Sequence, residues 1–125
     1  MNIIIIPTLN EYKNIKKLFF AIKKQKIRSD ILFIDDNSTD GTREEILEFK
    51  KKYKNIKYIF REKKFGIGSA HKEALIFAYK KKYKKIITMD ADGTHDPKYI
   101  KEMLFFSNKY DLVNTNRFLS KNSIS

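Results

Sequence analysis

Cysteine and tryptophan are absent from this 125-residue chain, and only two prolines and four glycines interrupt it. Without cysteine there is no disulfide, no thiolate metal site and no thiol nucleophile. So few glycines and prolines exclude collagen-like and low-complexity organisation. No run reaches the roughly 18 apolar residues of a membrane-spanning helix. The opening Ile3-Ile4-Ile5-Ile6 stops at Pro7 and has no basic stretch before it, so it reads as a buried strand and not as a signal peptide. Arginine is scarce as well. Four of the 27 basic residues are Arg (Arg28, Arg43, Arg61, Arg117), so the planar fork suited to bases and phosphates is rare.

What is present is a foldable composition. With 42% hydrophobic and 14% aromatic residues the chain is not disordered as a whole, and its length suits one domain, expected over residues 1–118 with a polar tail at 119–125. The net charge of +12 favours anionic partners such as nucleic acid, lipid headgroups or phosphorylated small molecules. Lysine is nevertheless spread along every helical stretch, which reads as a solvated surface. Lys23-Lys24, Lys50-Lys51-Lys52 and Lys80-Lys81-Lys82 fall at helix ends, where the dipole favours cations. A cytoplasmic location is expected, with at most peripheral contact with a membrane.

Apolar strand-like runs alternate with helical patterns. Strands are expected at residues 2–6, 30–35, 55–60, 85–89 and 111–115. Between them lie a helix carrying Ile15, Leu18, Phe19 and Ile22, a second carrying Ile46, Phe49 and Tyr53, and a third through Ala70, Ala74, Phe77 and Ala78. Asp96-Pro97 opens a fourth, with Ile100, Met103 and Leu104 inward. Strands apolar on both sides and separated by helices imply an α/β fold, a mainly parallel sheet with helices on both faces. Ligands of such sheets bind at the carboxyl ends of the strands, near the switch in strand order.

Three loops at those ends are acidic in an otherwise basic chain: Pro7-Thr8-Leu9-Asn10-Glu11, the stretch from Asp35-Asp36 to Thr42, and the stretch from Asp90-Ala91-Asp92 to Pro97. Asp90 and Asp92, two apart, point to one side of an extended segment and make a hard oxygen site for Mg²⁺ or Mn²⁺. Turn and cap chemistry is the competing reading, but Asp96 already serves as the cap. Asp35 and Asp36 can accept hydrogen bonds from a base or ribose, since Ser38, Thr39, Asp40 and Gly41 suffice for the turn that follows them. Gly66-Ile67-Gly68-Ser69 at a helix start is either an anion nest or a plain turn. His71 reads as a packing or surface residue, and His95 as a neighbour of a phosphate or metal.

In this order and at these strand ends, the segments resemble the family 2 glycosyltransferases of the Rossmann-like GT-A fold, nearest their dolichol-phosphate mannosyltransferase-like branch. The resemblance rests on Ile6-Pro7-Thr8-Leu9-Asn10-Glu11, the run from Ile34 to Thr42, Phe65-Gly66-Ile67-Gly68-Ser69-Ala70, Met89-Asp90-Ala91-Asp92 and Asn116-Arg117-Phe118. It implies a nucleotide pocket lined by Pro7, Leu9 and Glu11, with Ile34 and Asp36 on base and ribose. It implies that Asp90, Ala91 and Asp92 hold the nucleotide-sugar, that Asp90, Asp92 and Thr94 hold Mg²⁺ or Mn²⁺, and that Asp92 and Arg117 serve catalysis.

The reaction it implies moves a sugar from GDP-mannose or a UDP-sugar, with inversion, to a polyprenyl or dolichyl phosphate or a cell-envelope glycan. The chain stops eight residues past Arg117, which leads to the expectation of a shortened product or the donor-binding part of a longer enzyme. Two alternatives stand beside it. One is a nucleotide-sugar-binding module without transferase activity. The other is a basic peripheral protein that binds nucleic acid or anionic membrane through lysine alone, with strong salt dependence. A phosphoacceptor receiver domain is set aside, because it would carry its acid pair after the first strand.

Overall fold

A computed structural model of the chain describes residues 1–63, 65–91 and 112–114. Its elements run β1 (Asn2–Thr8), α1 (Tyr12–Lys24), β2 (Asp30–Asp35), α2 (Thr42–Lys52), β3 (Ile56–Phe60), α3 (Ile67–Lys80), β4 (Lys85–Thr88) and β5 (Leu112–Asn114). The strands form one parallel sheet in the order β3-β2-β1-β4-β5. The chain thus winds outward from β1 to β3, then crosses back to place β4 on the other side of β1. That reversal lies between β1 and β4, and it marks the doubly wound α/β architecture expected of the GT-A fold.

Alternation along β1 and β2 builds two cores at once. Ile4, Ile6, Ile31 and Phe33 face α1 and α2, where they meet Ile15, Leu18, Phe19, Ile22, Ile46 and Phe49. Ile3, Ile5, Leu32 and Ile34 face the other way and pack on Ala70, Ala74 and Ala78 of α3. Alanine at every fourth position keeps one side of α3 shallow, so this helix can sit close over the sheet. On the opposite face aromatic rings fill the larger gap. Phe19 stacks on Phe49 with centroids 4.2 Å apart and meets the half-buried Tyr53 at 5.1 Å.

Several boundaries differ from expectation. β1 continues through Pro7 and Thr8, which pair with Ile34 and Asp35 of β2. Pairing of β1 with β4 stops at Ile5 and Thr88, so Pro7 sits where the strand has a single neighbour, a position that tolerates proline. β3 and β4 are each one residue shorter than expected, although the Met89 N–H still bonds to the Ile5 carbonyl at 2.9 Å. Among the helix-end lysines, Lys51 Nζ lies 3.6 Å from Glu48 Oε1 on the exposed side of α2, and two others reach partners beyond their own helix. Lys23 Nζ lies 3.5 Å from the Tyr53 ring centroid, and Lys50 Nζ donates to the Ile56 carbonyl at 3.0 Å. The expected helix opening at Asp96-Pro97, the residues His95, Ile100, Met103 and Leu104, and the polar tail lie outside the described residues.

Phe19 is completely buried at the centre of the α1–α2 layer. Phe19→Ala is expected to lower the unfolding free energy by about 3–5 kcal/mol, because a large cavity opens where no neighbour can collapse. Urea titration followed by circular dichroism measures this, and a loss below about 1 kcal/mol would mean the aromatic cluster is not the core of that layer.

Candidate functional site

The carboxyl ends of β1, β2 and β4 surround a cleft of about 190 Å³ lined by Pro7, Thr8, Leu9, Glu11, Asp36, Gly66, Ala70, Asp90 and Ala91. It lies at the reversal in strand order, where topology puts ligand sites. Three of the expected acidic residues, Glu11, Asp36 and Asp90, therefore share one concavity, with Pro7, Leu9 and Ala91 supplying apolar wall. A groove of about 460 Å³ at the other end of the strands is larger, but it is lined by Met1, Asp30, Lys50, Lys57, Tyr58, Phe77, Lys81 and Tyr83 and holds none of the expected site residues.

The adjacent pair Asp35-Asp36 divides its labour. Asp35 is completely buried and serves structure, which corrects its reading as an acid free for a ligand. Its Oδ1 accepts the hydroxyls of Thr8 (2.5 Å) and Ser38 (2.6 Å), and its Oδ2 accepts the Ser38 N–H (2.8 Å) and Arg43 Nε (2.7 Å). Every lone-pair direction is in use. Asp36 turns towards the cleft and is 5% exposed. Its two oxygens each take one backbone N–H, from Phe65 and Gly66, both at 3.0 Å, and its remaining acceptor capacity is open to a ligand hydroxyl.

Ile34 is also corrected. Its side chain is completely buried beneath α3 with Ala70 and Ala74 and does not line the cleft. Thr8, Gly66 and Ala70 line it instead; of these only Gly66 was offered by the sequence as a ligand contact, in the candidate anion nest. Gly66 has φ +93°, a conformation that L side chains rarely adopt, and this lets consecutive N–H groups turn onto Asp36. The Gly66-Ile67-Gly68-Ser69 run thus aims its first amide at a carboxylate of the chain itself. Asp92, Thr94 and Arg117 lie outside the described residues.

The first two acidic loops are latched together. Asn10 N–H donates to Ser38 Oγ (2.8 Å), Thr39 N–H to Asn10 Oδ1 (2.8 Å) and Glu11 N–H to Thr42 Oγ1 (3.0 Å). Asp40 joins both helix starts: its Oδ2 accepts the Tyr12 N–H (3.1 Å), and its Oδ1 accepts the Thr42 N–H (3.0 Å) and hydroxyl. Burial pushes the Asp40 carboxyl up, but the hydrogen bonds from the Thr42 side chain and from the Tyr12 and Thr42 amides outweigh it and hold the group below its ordinary value of 3.8. Glu11 is braced from its own helix, its Oε2 accepting the Asn14 amide at 3.1 Å.

Among the described residues no three His, Cys, Asp or Glu side chains gather as a complete metal site. Asp90 at the end of β4 is the described member of the expected metal set, and it shares the cleft with two further acids. An anionic ligand would be repelled by that wall unless a cation accompanied it. Mg²⁺ and Mn²⁺ commonly bind through one or two carboxylates and complete their shell with water and substrate phosphate, so this donor set fits a cation held jointly with a ligand.

The chain matches glycosyl transferase family 2 over residues 3–123 and belongs to that family. It is 36% identical over 104 residues to a dolichol-phosphate mannosyltransferase of Pyrococcus furiosus, which covers 81% of this chain and 28% of that one. It is 29% identical over 109 residues to an undecaprenyl-phosphate mannosyltransferase of Micrococcus luteus, covering 87% of this chain and 45% of that one. The fold superposes on S. aureus TarS 1-349 in complex with UDP-GlcNAc with a TM-score of 0.71 and 25% identity, over 87% of this chain and 31% of that one. It also superposes on the mannosyltransferase PcManGT from Pyrobaculum calidifontis in complex with GDP-Man and Mn²⁺, with a TM-score of 0.68 and 21% identity over 78% and 29% of the two chains. The chain thus spans less than half the length of each of these relatives.

The Asp40 latch gives a pH-dependent prediction. A carboxyl whose value is lowered by folding adds stability that is present above its unfolded value near 3.8 and is lost as pH falls through the lower folded value. Asp40→Asn is expected to destabilise the fold at pH 7 by about 1 kcal/mol, as loss of a helix-start acceptor does. The gap between variant and parent should shrink as pH falls below about 4. Melting curves of both proteins from pH 7 to 3 check this, and a gap that does not change with pH would contradict it.

Proposed function

We propose that this chain forms the donor side of an inverting glycosyltransferase that moves a sugar from a nucleotide-diphospho-sugar, GDP-mannose or a UDP-sugar, to a polyprenyl or dolichyl phosphate or a cell-envelope glycan. The observation that carries the reading is the placement of Glu11, Asp36 and Asp90 around one cleft at the strand-order reversal of a family 2 fold. Solved relatives with UDP-GlcNAc and with GDP-Man and Mn²⁺ support the donor class, and the names of the mannosyltransferase relatives support a lipid-phosphate acceptor. The compartment that goes with this reading is the cytoplasm, with peripheral contact at the membrane face.

In this reading Pro7 and Leu9 supply the apolar wall for the base, and Glu11 and Asp36 supply acceptors for base and ribose. Asp90, Asp92 and Thr94 would hold Mg²⁺ or Mn²⁺ together with the diphosphate, and Ala91 would leave room for the sugar. The cation supplies neutralisation of charge as the nucleoside diphosphate leaves. Arg117 offers a planar fork to paired phosphate oxygens. A phosphate acceptor is already anionic near neutral pH, so attack on the anomeric carbon needs no general base from the protein. A hydroxyl acceptor would need one.

Binding of GDP or UDP is expected to require Mn²⁺ and to raise the melting temperature. Ligand at about 100 times its dissociation constant adds roughly 2.7 kcal/mol. Asp92→Asn keeps the shape and removes the charge facing the cation, so it should abolish the metal-dependent shift without lowering the melting temperature of the free protein. Equal nucleotide and metal binding by variant and parent would refute the metal assignment. Absence of any nucleotide shift in the parent would refute the donor site.

A further inference from the structure

Arg61 follows β3 and stands behind the cleft, 6% exposed. Its backbone is fixed on both sides: the N–H donates to the Asp35 carbonyl at 2.9 Å, and its own carbonyl accepts Arg43 Nη2. The guanidinium lies 4.7 Å from the Phe65 ring centroid, and Nη2 donates to Ser69 Oγ at 2.6 Å. The rest of the fork is unmatched. Nε stands 3.6 Å from Asp36 Oδ1 and 3.5 Å from Glu73 Oε1, facing two carboxylates, and both Nε and Nη1 are buried without a hydrogen-bond partner.

A buried charged donor left unmade is costly, and an arginine kept only to brace the fold would have its buried donors paired, as Arg43 Nε and Nη2 are. The nearest acceptor within the cleft wall is Asp36, whose oxygens already take the Phe65 and Gly66 amides. We propose that Arg61 is a positioning residue for donor recognition. From behind the cleft it fixes and charge-balances Asp36, so that the free acceptor side of that carboxylate meets the ribose hydroxyls of a nucleoside diphosphate. Glu73, half-exposed on α3, competes for the same Nε and weakens the hold. The inference rests on the ribose role of Asp36 proposed above.

The test compares binding of GDP and UDP with their 2′,3′-dideoxy forms, with Mn²⁺ present, by calorimetry on the full chain. The parent should prefer the ribonucleotide about tenfold, the scale of one hydrogen bond to a charged group. Arg61→Gln should reduce that preference to about twofold or less and leave the affinity for the dideoxy form within about threefold of the parent. Glu73→Gln, at a half-exposed position, should widen the preference by at least about twofold, and it decides the matter alone if Arg61→Gln does not fold. A parent that discriminates while the folded variants discriminate equally overturns the positioning role alone. A parent that binds both forms equally overturns the ribose role of Asp36 and this inference with it, and a parent that binds neither overturns the donor site itself.

Discussion

One buried carboxylate organises the carboxyl edge of the sheet. Asp35 gathers the Thr8 hydroxyl from the end of β1, the Ser38 amide and hydroxyl from the turn after β2, and the Arg43 guanidinium from α2. Its backbone carbonyl receives the Arg61 amide from the end of β3. Arg43 then passes the connection on, with Nη2 on the Arg61 carbonyl and the guanidinium 4.7 Å from the Phe60 ring centroid. A charge taken out of water is tolerable only when its counter-charge and remaining acceptor sites are matched, and here they are. The loops that line the cleft leave from strands held in fixed relation by this knot. Asp36 can then face a ligand because its neighbour carries the structural load.

The cleft reverses the sign of the molecule. A chain of net charge +12 places Glu11, Asp36 and Asp90 around one small concavity, and no lysine among the described residues lines it. On the proposed reading, an anionic donor would be drawn to the protein by its overall field but met locally by carboxylates. The two facts are compatible when a divalent cation is part of what binds. The same arrangement explains why a lone lysine-rich surface is a poor account of this family 2 chain: the reversal in strand order leads to the acids.

Much of this was legible in the residues. The stripe Ile15, Leu18, Phe19, Ile22 predicted the buried face of α1, and Ala70, Ala74 and Ala78 that of α3, because helical period and burial are coupled directly. The parallel sheet followed from Ile31-Leu32-Phe33-Ile34, apolar on both sides. The convergence of three loops followed from that topology. The roles of individual acids were less accessible. Asp35 and Asp36 are chemically identical neighbours, and besides the local Ser38 it is the partners Thr8, Arg43, Phe65 and Gly66, between eight and thirty residues away, that tell them apart. Ile34 matched the apolar part of a motif, yet strand alternation turns its side chain under α3. Arg61 drew no notice because its neighbours in sequence carry no pattern. Its rarity as one of four arginines was the signal available.

The two sides of the cleft are built differently, and this bears on how a donor would be recognised. The β1 and β2 loops are tied to each other by Asn10, Ser38, Thr39, Asp40 and Thr42, with side chains bonding to amides 28 to 31 residues away in sequence. That rim is assembled before any ligand arrives, so little ordering cost falls on binding there. The facing wall depends on Gly66 at positive φ, on two amides sharing one carboxylate, and on a buried guanidinium with donors unmatched. Such a wall has interactions still to make. If a nucleotide binds as proposed, preformed geometry at the rim and unfilled donors behind Asp36 would divide recognition: the first would set where it sits, and the second would respond to what it carries.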